Sequence, residues 1–177
     1  KKCDNIIIEA SSIGIHQNRL FPLKFNKIAF TNLSRDHLDY HKNMRQYLIS
    51  KSQIFFNNSH KKTIAILNSD DKKYSYFAKL CLDRRLKVLD YGKKANFLKI
   101  ISISKKNNLH EIEIDLKNKM NKVVIPSNSL FEVYNILCSL LIVFGEKITA
   151  KNFDCIKKLK SPKGRLEKVY DKDFQIF

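Results

Sequence analysis

The stretch TIAILNSDDKKYSYFAKLCLDRRLKVLDY, residues 63–91, decides the fold class of this 177-residue chain. It begins with the run TIAIL at 63–67 and ends with KVLDY at 87–91, and both runs are short and largely apolar, as buried strands are. Between them, residues 74–82 carry apolar side chains at helical spacing. A strand, a helix and a second strand in succession favour parallel strands joined by a crossover, so this stretch predicts an α/β fold.

Two further apolar runs extend the pattern towards the amino terminus. They are the three isoleucines at 6–8 and the sequence IAF at 28–30. A continuous apolar run is typical of a strand covered on both faces. We therefore expect a buried strand at each of these places.

The carboxyl-terminal half has a different pattern. Three segments alternate or are rich in β-branched residues, and Lys- and Asn-rich turns separate them: FLKIISIS at 97–104, HEIEIDL at 110–116 and NKVVIPS at 121–127. An apolar helix is expected over 130–144, capped by Ser129 and ended by Gly145. Thr149 is expected to cap a last amphipathic helix over 150–159. The predicted fold class is α/β: a mostly parallel Rossmann-like sheet with flanking helices plus a small three-stranded antiparallel sheet.

The formal net charge of +17 suggests a nucleic-acid-binding protein, but the composition weakens that interpretation. Of the 34 basic residues 28 are Lys, which are spread along the chain, although Arg is the preferred reader of phosphates and bases. We expect no nucleic-acid partner and keep a basic nucleic-acid-binding domain as an alternative.

The longest apolar stretch, 136–144, is too short for a bilayer, which takes about 20 residues, so no membrane insertion is expected. The four cysteines form no C-x-x-C pair, which favours reduced thiols in a cytoplasmic protein.

Polar residues follow the first two predicted strands. Glu9 precedes two serines, and the segment SRDHLDYH at 34–41 holds two acids and two histidines. Ligands of open α/β sheets bind at the carboxyl ends of the strands, so both segments are candidate metal or phosphate sites. His37 and His41, four residues apart, could face one ion if they are helical. The alternatives are a helix cap with a solvated Glu9 and a capped turn with surface histidines.

Lys51 interrupts an apolar stripe. The helix predicted after His41 carries an apolar stripe of Met44, Tyr47, Leu48, Ile54 and Phe55. Helical spacing places one more residue in this stripe, between Leu48 and Ile54, and that residue is Lys51. A desolvated lysine favours its neutral amine, which can add CO2 to become a carbamate, a ligand for a metal ion. The alternative is a lysine whose ammonium reaches water past the core.

These segments together resemble the Mur ligases. Four stretches carry the resemblance: IIIEASSIGIHQNRL at 6–20, FTNLSRDHLDYHKNMRQYLISKSQIF at 30–55, FEVYNILCSL at 131–140 and SPKGRLEKV at 161–169. The second stretch is long and highly specific. The resemblance spans almost the whole chain and implies the central ATP-binding domain of this family.

The resemblance also implies roles for particular residues. Glu9, His37 and Lys51 would hold magnesium, with Lys51 carbamylated by CO2, and Lys51 and His37 would be the catalytic pair. The UDP-muramoyl dipeptide would be bound by Ser11, Gln17 and Arg19. Asn135 would contact the base of ATP, and Arg165 would reach its phosphates.

The implied activity is ATP-dependent amide formation in peptidoglycan biosynthesis. The segment SRDHLDYH and the Q-x-R pair favour the branch of the family that adds the third amino acid of the stem peptide to UDP-N-acetylmuramoyl-L-alanyl-D-glutamate. That amino acid would be meso-diaminopimelate or L-lysine, and we favour the former. The substrate carboxylate would attack the γ-phosphate of ATP, and the amine would then displace phosphate from the acyl phosphate. The implied partners are the UDP-muramoyl dipeptide, the amino acid and ATP, and the implied state is a cytoplasmic monomer.

The chain also departs from the family pattern. Ile13 stands where the family commonly has His, and Glu132 stands where it often has Asn. The 177 residues contain no phosphate-binding G-x-x-G-K-T/S loop. We therefore expect residues 1–168 to be a central domain without its P-loop, residues 169–177 to begin the carboxyl-terminal ligase domain, and the isolated chain to be inactive. A degenerate Mur-like domain without catalysis is the alternative that these departures favour.

Overall fold

A computed structural model of the chain describes residues 3–107, 109–127 and 129–159, together with the backbone of 170–171 and 175–176. The five α-helices of this part are α1 Ser12–His16, α2 Leu38–His41, α3 Met44–Asn57, α4 Tyr74–Asp83 and α5 Leu130–Phe144. Its strands are β1 Lys27–Phe30, β2 Ile64–Asn68, β3 Lys87–Gly92, β4 Leu98–Lys106, β5 Leu109–Leu116, β6 Met120–Pro126, β7 Tyr170–Asp171 and β8 Gln175–Ile176. Two 3₁₀ helices follow α5, at Gly145–Lys147 and Ala150–Lys158.

The first six strands form one sheet in the order of the chain, β1 to β6. Strands β1 to β4 are mutually parallel, and β4, β5 and β6 are antiparallel. The α/β fold class is confirmed. The three antiparallel strands, expected as a small separate sheet, instead continue the parallel one, because Tyr91 and Gly92 of β3 pair with Leu98 and Lys99 of β4. Strands β7 and β8 pair only with each other among the described residues.

Two apolar cores lie on the two faces of the sheet, and β2 contributes to both. Ile66 packs in the core that α5 covers, and its neighbours Ala65 and Leu67 pack in the core beneath α3 and α4. In the second core the rings of Phe30 and Phe77 stack with centroids 3.9 Å apart. The burial of β2 on both faces confirms what its continuous apolar sequence predicts.

The prediction of a buried strand at residues 6–8 is wrong. None of residues 5–11 lies in a helix or strand, and Ile6 and Ile7 are 71% and 78% exposed. Within the described residues β1 pairs only with β2, so this run has no neighbouring strand to complete its hydrogen bonds. An apolar run indicates what could be buried, but burial also requires a covering element.

The helix boundaries follow the predicted caps. The Ser129 hydroxyl accepts a hydrogen bond from the Phe131 amide, and Gly145 ends α5 with a φ of 55°. The last predicted helix is present as a 3₁₀ helix, and the side chain of Asn152 accepts from the Thr149 amide and hydroxyl at its start. Among the described residues, no helix has the length and apolar character needed to span a bilayer.

Candidate functional site

Helices α1, α2 and α3 bring the two polar segments together. Ser11 begins α1: its hydroxyl accepts a hydrogen bond from the Gly14 amide at 3.1 Å, which makes it the N-cap. Gln17 follows the end of α1, and its side-chain amide donates to the Tyr40 hydroxyl at 3.3 Å. Arg19 lies exposed in the turn beyond. The three residues predicted to bind substrate therefore lie in and around one short helix.

His41 is buried at the junction of α2 and α3. Its Nε2 lies 2.8 Å from the Ser12 hydroxyl on α1, and its Nδ1 lies 3.4 Å from the Ser50 hydroxyl on α3. Both ring nitrogens therefore have serine partners, and neither is left for an ion. The hypothesis that His37 and His41 share a metal ion has no support in this arrangement.

His37 lies at the start of α2 with a left-handed backbone, φ 52° and ψ 29°. The Asp36 carboxylate accepts a hydrogen bond from the His37 amide at 2.8 Å and lies 3.4 Å from the Nε2 of that imidazole. The His37 ring also meets the Tyr47 ring edge to face, with centroids 6.1 Å apart. Asp36 thus orients His37 through both its backbone and its ring.

Lys51 is half-buried on α3, one turn after Tyr47. Burial lowers the pKa of the Lys51 ammonium, and the negative charges of Asp36 and Glu9 oppose that shift by raising it. These charge effects indicate that both carboxylates lie in the neighbourhood of Lys51. The stripe predicted on α3 is also present, because Tyr47 and Phe55 are buried and Met44, Leu48 and Ile54 are half-buried.

A metal ion at this place would need Lys51 or exogenous ligands. Among the residues that the structure describes, no three His, Cys, Asp or Glu side chains are grouped closely enough to hold one. Glu9 is exposed and lies just before α1, so its carboxylate is accessible to a ligand from solution. Mg²⁺ commonly takes one or two protein carboxylates and fills the remaining positions with water and phosphate oxygens. A magnesium site built on Glu9 and His37 would therefore need oxygen atoms from a modified Lys51, from phosphate or from water to complete it.

Asn135, which is predicted to contact ATP, does not lie on the helices that carry the other predicted site residues. Asn135 is exposed on α5. At the start of α5 the Ser127 hydroxyl lies 2.5 Å from the Glu132 carboxylate and accepts a hydrogen bond from the Ser129 amide, so Glu132 is linked to the N-cap residue through Ser127. Arg165 lies outside the described residues.

Sequence reasoning missed the roles of His41 and Tyr40. His41, a candidate ligand by sequence, bonds two serines, and Tyr40 contacts His16, with 2.9 Å between Nδ1 and the hydroxyl. No local signal distinguishes a buried, hydrogen-bonded histidine from a ligating one, because both need polar neighbours. The Ser12 partner lies 29 residues away in the chain, and only the packing of α1 reveals it.

The chain matches a known protein family over most of its length. The model of the Mur ligase middle domain matches residues 1–143. A UDP-N-acetylmuramoyl-L-alanyl-D-glutamate–2,6-diaminopimelate ligase of Anaplasma marginale is 32% identical over 168 residues, which cover 94% of this chain and 35% of that protein. The ligase of the same name from Rickettsia bellii is 33% identical, again over 94% of this chain and 35% of the relative. The chain thus spans about a third of the length of these curated relatives.

Solved structures agree with the fold. A structure of a UDP-N-acetylmuramoyl-L-alanyl-D-glutamate–2,6-diaminopimelate ligase superposes with a TM-score of 0.78 at 25% identity, covering 93% of this chain and 34% of that one. A MurF ligase from Thermotoga maritima in complex with ADP superposes with a TM-score of 0.66 at 17% identity, over 84% of this chain and 34% of that one. At 17% identity the likeness concerns the fold alone.

Proposed function

The chain belongs to the Mur ligase family through its middle domain, and from this premise we propose that it is part of an ATP-dependent ligase of peptidoglycan synthesis. The proposed reaction adds the third amino acid of the stem peptide to UDP-N-acetylmuramoyl-L-alanyl-D-glutamate. We propose meso-diaminopimelate over L-lysine, because the two curated relatives described above are named as diaminopimelate ligases. The proposed context is a cytoplasmic monomer without a nucleic-acid partner, in which residues 1–168 belong to the central domain and 169–177 begin the next.

The observation that carries this proposal is the placement of Lys51. It interrupts the apolar face of α3, its pKa is lowered by burial, and the carboxylates of Glu9 and Asp36 act on it. A desolvated lysine amine on which the charges of two carboxylates act suits carbamylation in the presence of a cation.

Carbamylation converts Lys51 from a cation to an anionic oxygen ligand. The lone pair on Nζ adds to the carbon of CO2, one C=O electron pair moves to oxygen, and one proton leaves the nitrogen for solvent. The lowered pKa of Lys51 raises the fraction of neutral amine that can react. Glu9, His37 and the carbamate of Lys51 are the proposed holders of Mg²⁺, which would supply positive charge to the transferring phosphoryl group when bound.

The remaining proposed contacts concern the substrates. Ser11, Gln17 and Arg19 are proposed to hold the UDP-muramoyl dipeptide, and the exposure of all three leaves them accessible to it. Asn135 is proposed to contact the base of ATP, and Arg165 its phosphates. In the proposed reaction the substrate carboxylate attacks the γ-phosphorus and ADP leaves. The amine then attacks the acyl carbon, phosphate leaves, the nitrogen loses one proton to solvent and an amide remains.

The test is a reconstituted reaction of the ligase that contains this chain. The protein is incubated with UDP-N-acetylmuramoyl-L-alanyl-D-glutamate, ATP, Mg²⁺ and either meso-diaminopimelate or L-lysine. We expect phosphate release and a tripeptide product, identified by its mass, that depend on both the dipeptide and the amino acid. If no product forms with meso-diaminopimelate and none forms with L-lysine, the proposal is refuted.

A Mur-like domain without catalysis is the second candidate. The observation that favours it is Glu132, which stands where the family often has Asn and is hydrogen-bonded to the Ser127 hydroxyl at the start of α5. This candidate predicts an intact fold with no phosphate release under the same conditions.

A further inference from the structure

A buried hydrogen-bonded chain of three side chains joins α1 to α3 through His41. His41 is 3% exposed, and both its serine partners, Ser12 and Ser50, are buried as well. The three side chains are named here the serine–histidine bridge. A neutral imidazole has one donor and one acceptor nitrogen, so one hydroxyl accepts from His41 and the other donates to it.

We propose that His41 is a positioning residue that sets the distance between the substrate-binding end of α1 and Lys51. Each serine of the bridge is the chain neighbour of a proposed site residue: Ser12 follows Ser11, and Ser50 precedes Lys51. A shift of either serine therefore moves a site residue with it. This inference rests on the proposed function for its catalytic meaning, but the bridge itself is a property of the fold.

Helix α1 needs such an anchor because it is short. It has five residues, and its buried side chains are those of Ser12 and Ile15. Isolated helices shorter than about 12 residues are marginal in water, so the position of α1 depends on its tertiary contacts. One isoleucine can hold α1 against the core, but a non-directional contact does not fix its register along α3. The directional bonds of the bridge do.

Aromatic packing fixes the imidazole within the bridge. The His41 and Tyr47 rings stack with centroids 5.2 Å apart and planes 25° apart, and Tyr40 packs edge to face at 4.8 Å. Because the ring cannot turn freely, its two nitrogens keep their directions towards α1 and α3. Tyr47 also contacts His37, so the same ring connects the bridge to the metal-binding residues proposed above.

The first test measures the fold alone. In His41→Gln, amide hydrogen exchange is expected to rise about tenfold or more at Ile15 and Gln17, whose amides bond within α1, with exchange in α4 unchanged. His110→Gln is the matched control, because His110 is also a buried histidine, 4% exposed, but its Nδ1 lies 3.0 Å from the Ser127 carbonyl, far along the chain from α1.

Should His41→Gln fail to fold, Ser12→Ala and Ser50→Ala each remove one end of the bridge and are expected to give the same local change.

The second test measures catalysis in the ligase that contains this chain. His41→Gln is expected to lower kcat about tenfold or more and to change the KM for ATP less than about twofold, whereas His110→Gln leaves both within about twofold. Ser12→Ala added to His41→Gln is expected to lower kcat little further, because the bridge is already broken.

The outcomes separate this inference from the proposed function. Unchanged exchange in α1 of His41→Gln, or equal kinetic effects of His41→Gln and His110→Gln, would overturn the positioning role. A parent protein without ligase activity would refute the proposed function, and the exchange experiment would still decide whether the bridge holds α1.

Discussion

The ammonium of Lys51 lies 5.3 Å from the centre of the Tyr47 ring, one turn earlier on α3. A ring face attracts a cation, and the carboxylates of Asp36 and Glu9 also favour the charged form, so these contacts oppose the effect of burial. Burial is the largest of these effects and lowers the pKa of Lys51 below its usual value. This lowering favours the neutral amine that the proposed reaction with CO2 needs.

Replacement of Lys51 by Ala is expected to lower kcat of the ligase on the order of 100-fold or more and to leave the fold intact. The reason is loss of the proposed anionic ligand, since the half-buried stem contributes little to the core. Phosphate release and thermal unfolding measure the two effects. Lys79→Ala, at an exposed lysine of α4, is the control and should leave both unchanged.

The identity of the replacement distinguishes a carbamate from a plain cation. Lys51→Glu restores an anionic oxygen and should retain more activity than Lys51→Arg, which keeps a cation at the proposed metal site. Bicarbonate or a short carboxylic acid at high concentration should partly restore Lys51→Ala. A fully active Lys51→Arg protein would show that the carbamate is not required.

His41 predicts a pH dependence of stability. Burial, together with the positive charges of His16, His37 and Lys51, lowers the pKa of His41, and only the negative charge of Asp39 raises it. The unfolded chain then binds the proton at a higher pH than the folded chain, so the free energy of unfolding falls as the pH drops below about 6.5. The free energy of unfolding, measured by urea titration at several pH values from about pH 5 to about pH 8, should change less with pH in His41→Gln than in the parent. The same change with pH in both proteins would contradict the lowered pKa of His41.

Lys27 caps the end of a distant helix. Its ammonium, on β1, donates to the carbonyls of Ile142 and Val143 at 2.5 and 3.1 Å, at the carboxyl end of α5. Lys27→Met is expected to lower the free energy of unfolding by about 1–2 kcal/mol, through loss of these bonds and of the charge at the helix terminus. The control is Lys122→Met, since Lys122 forms an exposed ion pair with Glu113 at 3.5 Å, worth about 0–1 kcal/mol. Equal effects in a urea titration would argue against the cap.

Gly92 permits a close approach at the end of β3. Its φ is 131°, and a Cβ there would lie 2.6 Å from the Ser69 hydroxyl oxygen and 2.7 Å from an Asp70 carboxylate oxygen. Gly92→Ala is expected to destabilise the protein by about 2–3 kcal/mol, through backbone strain and displacement of Asp70. Gly145→Ala is expected to cost a similar amount, because its φ of 55° with a ψ of −135° is also a backbone conformation that favours glycine, and the added Cβ would lie 3.3 Å from the Lys27 side chain that caps α5. Thermal unfolding measures both variants, and an unchanged Tm in either would refute the argument.

A polypeptide of these 177 residues is expected to bind ATP weakly and to have no ligase activity. Their sequence has no G-x-x-G-K-T/S loop, whose backbone amides and lysine would make most of the phosphate contacts. Calorimetry with ATP and Mg²⁺ should therefore show no binding in the micromolar range. A micromolar Kd would show that the described helices and strands bind the nucleotide without such a loop.

Local sequence determined the elements whose limits are set by neighbouring residues. Helix α5 runs from Leu130 to Phe144 because Ser129 caps it and Gly145 ends it, and β2 is buried on both faces as its apolar sequence predicts. Lys51 stands out in the sequence for the same reason, since helical spacing alone shows that it interrupts an apolar stripe.

Only the tertiary structure decided the features that depend on contacts between distant segments. The isoleucines at 6–8 are exposed because burial needs a covering element that their own sequence does not supply. The three antiparallel strands join the parallel sheet because β4 pairs with β3. His41 bonds Ser12 and Ser50 instead of an ion because α1 packs against α3, and no local pattern encodes that packing. Covalent neighbours set helix caps and hydrophobic periodicity, but the partner of a buried polar group is chosen by the fold as a whole.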